Sequence, residues 1–207
     1  MQKKAENIIL TQSLERKLIL ASHNAGKISE MRSALQPFGW TLTSSAELNL
    51  TIPEENGASF HDNAHIKALA ASNATGLIAL ADDSGLEVHC LNERPGLHTA
   101  TYGGWEKLLH EMKAIPEPER QARFICVLAL HIPHQTTLFF EGICDGEITL
   151  ESSGAGGFGY DPVFRPAGET LTFAEMSQQE KQAHSHRGKA IRSLLEALKM
   201  ISSADHA

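Results

Sequence analysis

The residues best suited to chemistry fall in five short stretches. The first is IALADDSGLEV, residues 78–88, where an apolar run meets Asp82, Asp83 and Ser84. Hard oxygen ligands at the end of a strand suit a divalent cation or an activated water, and α/β sheets commonly place active sites at strand ends. Successive strand residues point to opposite faces, so at most one of Asp82 and Asp83 aims into a given cleft, and an Asx turn between two strands is the plainer alternative. The second stretch, PEENGASF, sets Glu54 and Glu55 just before a helix, where capping is the plain reading. The third, GGFGYDPVF, places Phe158 and Tyr160 among glycines that let a planar group approach the backbone. The fourth, EKQAHSHRGKA, groups Lys181, His186, Arg187 and Lys189 as cations for an anion or a carbonyl oxygen.

A fifth stretch is either a phosphate cradle or only a strand-to-helix connection. In LILASHNAGKISEMRSAL, residues 18–35, an apolar run turns through a polar loop into a helix with Lys27 at its start. Free N–H groups and the positive dipole end of such a helix attract anions. The Walker pattern fails, since Ala21 stands at its first glycine and Ile28 at its hydroxyl. Carboxylates for magnesium, cations for phosphate and an aromatic loop for a base together describe a nucleoside triphosphate site.

Three other motifs are weaker. GAGGFG, residues 154–159, matches G-x-G-x-x-G, but Tyr160-Asp161-Pro162 follow where a helix should open, so a flexible substrate loop is expected. HDNAH, residues 61–65, spaces two histidines as in a zinc protease, yet its polar surroundings suit a solvated face. The pair His184 and His186 could be metal ligands, but Arg187 and Lys189 beside them favour an anion.

These residues need elements to hold them. Ile28, Met31, Leu35 and Phe38 follow helical spacing up to PFGW, a second helix is predicted from Ser59 to about Asn73 with Gly76 beyond it, and a last one from about Arg187 to Met200. Strands are predicted at LIALAD, GLEVHCL, RFICVLALHI and TLFFEGICDGEITL. Helices at both ends with strands clustered between them predict an α/β fold with a mixed twisted sheet. Residues 1–16 read as a polar N-terminal extension and 17–207 as one domain.

Composition narrows the function. The 207 residues are 42% hydrophobic and 21% charged with a net charge of -7, which describes a soluble globular protein and argues against holding a nucleic-acid backbone. No run approaches the length of a membrane span and no leader is evident, so a cytoplasmic protein without membrane partners is expected. Cys90, Cys126 and Cys144 form no C-x-x-C pair, and Cys126 in FICVLAL reads as a small buried hydrophobe.

Taken in order, LASHNAGKISEM, PEENGASFHDNAHIKA, ADDSGLEV, RPGLHTATYGG, RQARFICVLAL, GGFGYDPVF and FAEMSQQEKQAHSHRGKA resemble the noncanonical purine NTP pyrophosphatases, the RdgB-like XTP/dITP diphosphatases. The resemblance runs from about Leu18 to the final helix. It implies flanking helices on a mixed sheet, two lobes around a central cleft, a homodimer, and Mg2+-dependent hydrolysis of ITP, dITP and XTP to the monophosphate and pyrophosphate. Carried onto matching positions, Ser22, His23, Asn24, Ala25, Gly26 and Lys27 would bind the triphosphate. Asp83 would be the general base and a metal ligand, Glu55 a second metal ligand, and Ser84 a substrate contact. Phe158, Gly159, Tyr160 and Asp161 would line the nucleoside pocket, completed by Lys181, His186 and Arg187.

The chain departs from that pattern in places. His23 replaces a glycine, Asp62 a glutamate, His89 an aspartate and Thr101 an arginine, and several residues are missing between Gly104 and Trp105. A house-cleaning enzyme of other preference, a nucleotide-binding module without catalysis and a zinc hydrolase are the competing readings.

Overall fold

The computed structural model describes residues 16–204, so all of the expected N-terminal extension except Arg16 lies outside the described residues. Among these residues seven strands form one mixed sheet in the order β2-β1-β3-β5-β6-β7, with β4 added to β3. β1 (Lys17–Leu20) runs parallel to β2 (Thr41–Ser44) and to β3 (Ala79–Val88). β4 (Arg94–Pro95) and β7 (Phe164–Pro166) are antiparallel to β3 and β6 (Thr137–Ile148) respectively, and β5 is Gln121–His131. The α/β class with a mixed sheet is as expected.

The chain divides into two compact units. The first comprises the described parts of Met1–Asp83, Val127–Phe140 and Ala190–Ala207. It contains α1 (Ala25–Leu35), α2 (Phe60–Thr75) and all but the start of α5 (His186–Ala204). Leu18, Leu20, Leu80 and Leu128 are fully buried in it, as strands covered on both faces require. α1 buries Met31, Ala34 and Leu35 and stops before Pro37 and Gly39, leaving Phe38 exposed. Ser59 caps α2 through its hydroxyl, and Gly76 ends it at φ 69°, a left-handed value that glycine adopts without strain.

The second unit comprises Ser84–Cys126 and Glu141–Lys189. Its core gathers Leu86, Leu108, Met112, Phe164 and Phe173 around Phe124, whose ring meets that of Phe164 edge-on at 4.7 Å. Arg120, 2% exposed, donates to the carbonyls of Met112, Ile115, Ile148 and Thr149 and so ties the end of α3 (Gly104–Glu111) to the end of β6. The short helices α3 and α4 (Gln178–His184) were not anticipated. With eight and seven residues they carry too few turns for periodicity to register.

Candidate functional site

The strand that carries the aspartates does not end there. Residues predicted as two strands around a turn form one ten-residue strand, β3, and Asp82 and Asp83 lie in its middle with both side chains buried. A turn is unnecessary because cations from two helices meet the two charges inside the unit. Asp82, with 1% of its side chain exposed, pairs with Lys27 Nζ at 2.9 Å from the first turn of α1. Asp83 accepts from Lys67 Nζ at 3.2 Å on Oδ1 and from Asn63 Nδ2 at 3.1 Å on Oδ2. Alternation along the strand thus sends neighbouring carboxylates to different partners.

Lys67 also donates to Glu55 Oε1 at 2.5 Å, so one buried ammonium bridges two carboxylates from separate segments. Burial opposes its charge, but Asp82, Asp83 and Glu55 outweigh that and hold it above the ordinary lysine range. Asp83 is pushed above the usual carboxylate range, first by burial and further by the charge of Glu55, against Lys67, Lys27 and the Asn63 amide. One ammonium shared among three carboxylates cannot compensate any of them fully, so an upward shift on the acid coexists with an upward shift on its partner. A carboxylate placed so is able to accept a proton.

Glu55 does not cap α2. That task falls to Ser59 and Asp62, which exchange a hydroxyl-to-carboxylate bond of 2.8 Å and an amide-to-hydroxyl bond of 3.1 Å. The loop before α1 is built as a strand-to-helix connection. Asn24 caps the helix by accepting from the Lys27 amide at 3.1 Å, and its own amide donates to Ser22 Oγ at 3.2 Å. No acidic residue occupies the first turn of α1, which leaves its positive end uncancelled. Exposed His23 donates from Nε2 to the Leu50 carbonyl at 2.9 Å, a bond the glycine usual there could not form.

The second unit organises a different set. Asp161, buried, accepts from the Phe158 amide and from Lys181 Nζ, both at 2.6 Å. Lys181 Nζ also sits 4.7 Å from the centre of the Phe158 ring. Arg187 donates from Nη2 to Ser84 Oγ at 3.1 Å, and its guanidinium lies 5.8 Å from the Phe158 ring centre. His186 stacks on Phe124, centroids 4.6 Å apart and planes 9° from parallel. Gly157 has φ +70° and a Cβ there would strike the Asp161 carboxylate, so the glycine is what lets the loop close over that acid.

Comparison with known proteins now decides the family. The Ham1 family model matches residues 18–197. The chain belongs to the Ham1 family. A dITP/XTP pyrophosphatase of Thermus thermophilus is 47% identical over 190 residues, 88% of this chain and 92% of that protein. The dITP/XTP pyrophosphatase of Escherichia coli K12 is 44% identical over 193 residues, 88% and 98% of the two chains. A HAM1 protein from Coxiella burnetii shares the fold with a TM-score of 0.80 at 38% identity, covering 89% of this chain and 98% of its own.

Within this Ham1 chain the first unit brings together Lys27, Glu55 and Asp83 of the expected residues, with Ser22, Asn24, Ala25 and Gly26 forming the loop and first turn beside Lys27. The second brings together Ser84, Phe158, Asp161, Lys181 and Arg187, and Gly159 sits among them with φ +62°. Tyr160 belongs to the apolar core, its hydroxyl donating to the Thr99 carbonyl at 3.2 Å. Of the expected cations, Lys181 and Arg187 share the Phe158 ring, while the others find separate partners. Lys189 donates to the Ile143 carbonyl, His184 pairs with Glu169 at 3.3 Å, and Lys181 is neutralised by Asp161.

His61 and His65 do not form a solvated face. Both are half-buried, His61 against the Phe139 ring, while Nδ1 of His65 and of His131 share the Thr137 hydroxyl at 2.8 and 2.9 Å. Among the described residues no group of three or more His, Cys, Asp or Glu is arranged to hold a metal, which fits neither a zinc protease nor an HSH centre. GAGGFG opens no α-helix, only the single 3-10 turn Asp161–Val163, so it is no dinucleotide fingerprint. Sequence reasoning overlooked Asn63, Lys67 and Phe124. The signal for the first two was an amide and an ammonium four apart, on one face of a predicted helix otherwise lined by alanine.

Proposed function

We propose that this chain hydrolyses noncanonical purine nucleoside triphosphates, dITP, ITP and XTP, to the monophosphate and pyrophosphate, in the cytoplasm and as a homodimer. The observation that carries the reading is the pair of carboxylates, Asp83 and Glu55, meeting at the Lys67 ammonium in a chain 44–47% identical to dITP/XTP pyrophosphatases. The acidic balance of the chain, -7, supports small nucleotides over a nucleic-acid partner.

The carboxylates already gather around positive charge, and Glu55 keeps 41% of its side chain exposed, so this donor set fits Mg2+, which takes one or two protein carboxylates and substrate phosphates. Asp83 and Glu55 would hold it, and it would neutralise phosphate charge that repels the attacking oxygen. The Ser22–Lys27 loop and the start of α1 bind the triphosphate through backbone N–H groups and the Lys27 ammonium. Asp83, held at both oxygens, orients a water and takes its proton as the water oxygen bonds to the α-phosphorus. The bond from that phosphorus to the bridging oxygen breaks and pyrophosphate leaves.

Phe158 and the glycines about it would receive the purine, as the family resemblance implies. Hypoxanthine and xanthine carry a carbonyl at position 6 that accepts from Arg187 or His186. Adenine offers an amino donor to the same donors, a mismatch of about 1–3 kcal/mol when buried. The test is pyrophosphate release from ITP, XTP, GTP and ATP, with magnesium and with chelator. Release from ITP and XTP that chelator stops is expected, and folded protein inactive on both would refute the reading.

A further inference from the structure

Asn63 is 3% exposed and spends both ends of its side chain inside the first unit. Oδ1 accepts from the Gly57 amide at 2.8 Å, and Nδ2 donates to Asp83 Oδ2 at 3.1 Å. The partners settle which end is which, because an amide N–H must face an oxygen and a carboxylate must face a donor. Gly57 lies two residues beyond Glu55, and a Cβ on it would come within 2.7 Å of Asn63 Oδ1 and collide with the Asp62 side chain. Only a residue without a side chain lets the loop settle onto this amide. One buried amide therefore connects the backbone of the loop that presents Glu55 to the carboxylate of Asp83. Lys67 makes the corresponding link at the level of the charged heads.

We propose that Asn63 is a positioning residue that sets the Glu55 loop in register with Asp83 and fixes the Asp83 carboxylate plane; the inference rests on the reading of Asp83 as the base. Two anchored oxygens leave that carboxylate no rotation about its last bond. Its remaining lone pairs keep fixed directions when a water arrives. The loop cannot drift without pulling on the same amide.

Two variants separate the links. Asn63→Asp keeps an acceptor for Gly57 but replaces the donor to Asp83 with a second carboxylate. Asn63→Ala removes both bonds. With ITP and magnesium, both are expected to lose kcat on the order of 10- to 100-fold with KM within about threefold, as misplacement of a reacting group predicts. Hydrogen exchange at the Gly57 amide is expected to accelerate in Asn63→Ala and to stay slow in Asn63→Asp, a signature that general loosening would not produce. Unchanged Gly57 exchange in Asn63→Ala, or wild-type kcat in both folded variants, overturns the proposal. Failure of the wild-type protein itself to release pyrophosphate would strike the functional reading and the catalytic part of this one, while Gly57 exchange still judges the clamp.

Discussion

Replacing Lys67 with methionine removes the ammonium while keeping most of the stem that packs in α2. Asp83 loses a direct partner, and Asp82 loses an attraction that is the largest of the three carboxylates on Lys67. Asp82 retains Lys27 at 2.9 Å, and Glu55 is exposed enough for water to screen it. At the observed 3.2 Å, the Lys67–Asp83 attraction is about 5 kcal/mol for an effective dielectric of roughly 20. Breaking a buried pair by removing one partner costs about 3–5 kcal/mol, which for a chain of this size lowers Tm by roughly 6–20 °C. The effect has a definite pH dependence. Lys67 is among the groups that hold the Asp83 pKa down, so without it the folded-state value climbs further above the unfolded one. The folded variant then binds a proton that the unfolded chain has released. Its deficit is full above the variant's Asp83 pKa and shrinks as pH falls through it. Urea denaturation of both proteins at pH 5 and pH 8 measures this. A deficit below about 1 kcal/mol at pH 8, or one larger at pH 5 than at pH 8, would refute the assignment of Lys67 as the compensating charge.

Other outcomes follow from the same geometry. Asp83→Asn should keep the fold and lower pyrophosphate release from ITP by about 10²–10⁴-fold, the usual contribution of a general base, which a coupled phosphate assay reads directly. Arg120→Met strands four carbonyls in the second unit and should destabilise it by about 3–5 kcal/mol, visible as a lower melting temperature, since no carboxylate partner is released in exchange. Gly157→Ala should raise KM for ITP more than it lowers kcat, because it displaces Asp161 and the Phe158 loop. Burial pushes the Cys144 thiol up to about 11 and leaves Cys126 fully covered, while half-buried Cys90 is also raised by burial, so native protein at pH 8 should react at Cys90 alone and slowly, and denatured protein at all three.

The carboxylates also show how a site can be tuned without any residue of unusual type. Asp82 and Asp83 are buried neighbours on one strand, yet Asp82 pairs directly with Lys27 while Asp83, raised by its burial, shares Lys67 with Glu55. The division arises because a strand turns adjacent side chains to opposite faces and because Lys27 and Lys67 approach from different helices. Exchanging either lysine for arginine would keep the charge but not the reach, so the two positions should tolerate that change poorly.

The sequence by itself determined the α/β class, the three longer helices with their caps at Ser59 and Gly76, the strand-to-helix loop before Lys27, and the family. Those rest on local rules: helical spacing over many turns, capping by a neighbouring side chain, glycine where φ is positive. It also put Asp83, Glu55 and Arg187 on the candidate roster, because motif order survives in one dimension. Tertiary structure alone decided that Asp82 and Asp83 sit within a strand rather than at a turn, since what permits them there is Lys27 and Lys67, 55 and 16 residues away in sequence. It alone paired Lys181 with Asp161, sent Tyr160 into the core and made one amide, Asn63, serve both a loop and an acid. A buried charge is tolerable only with a partner, and partners are chosen by folding rather than by neighbourhood in the chain.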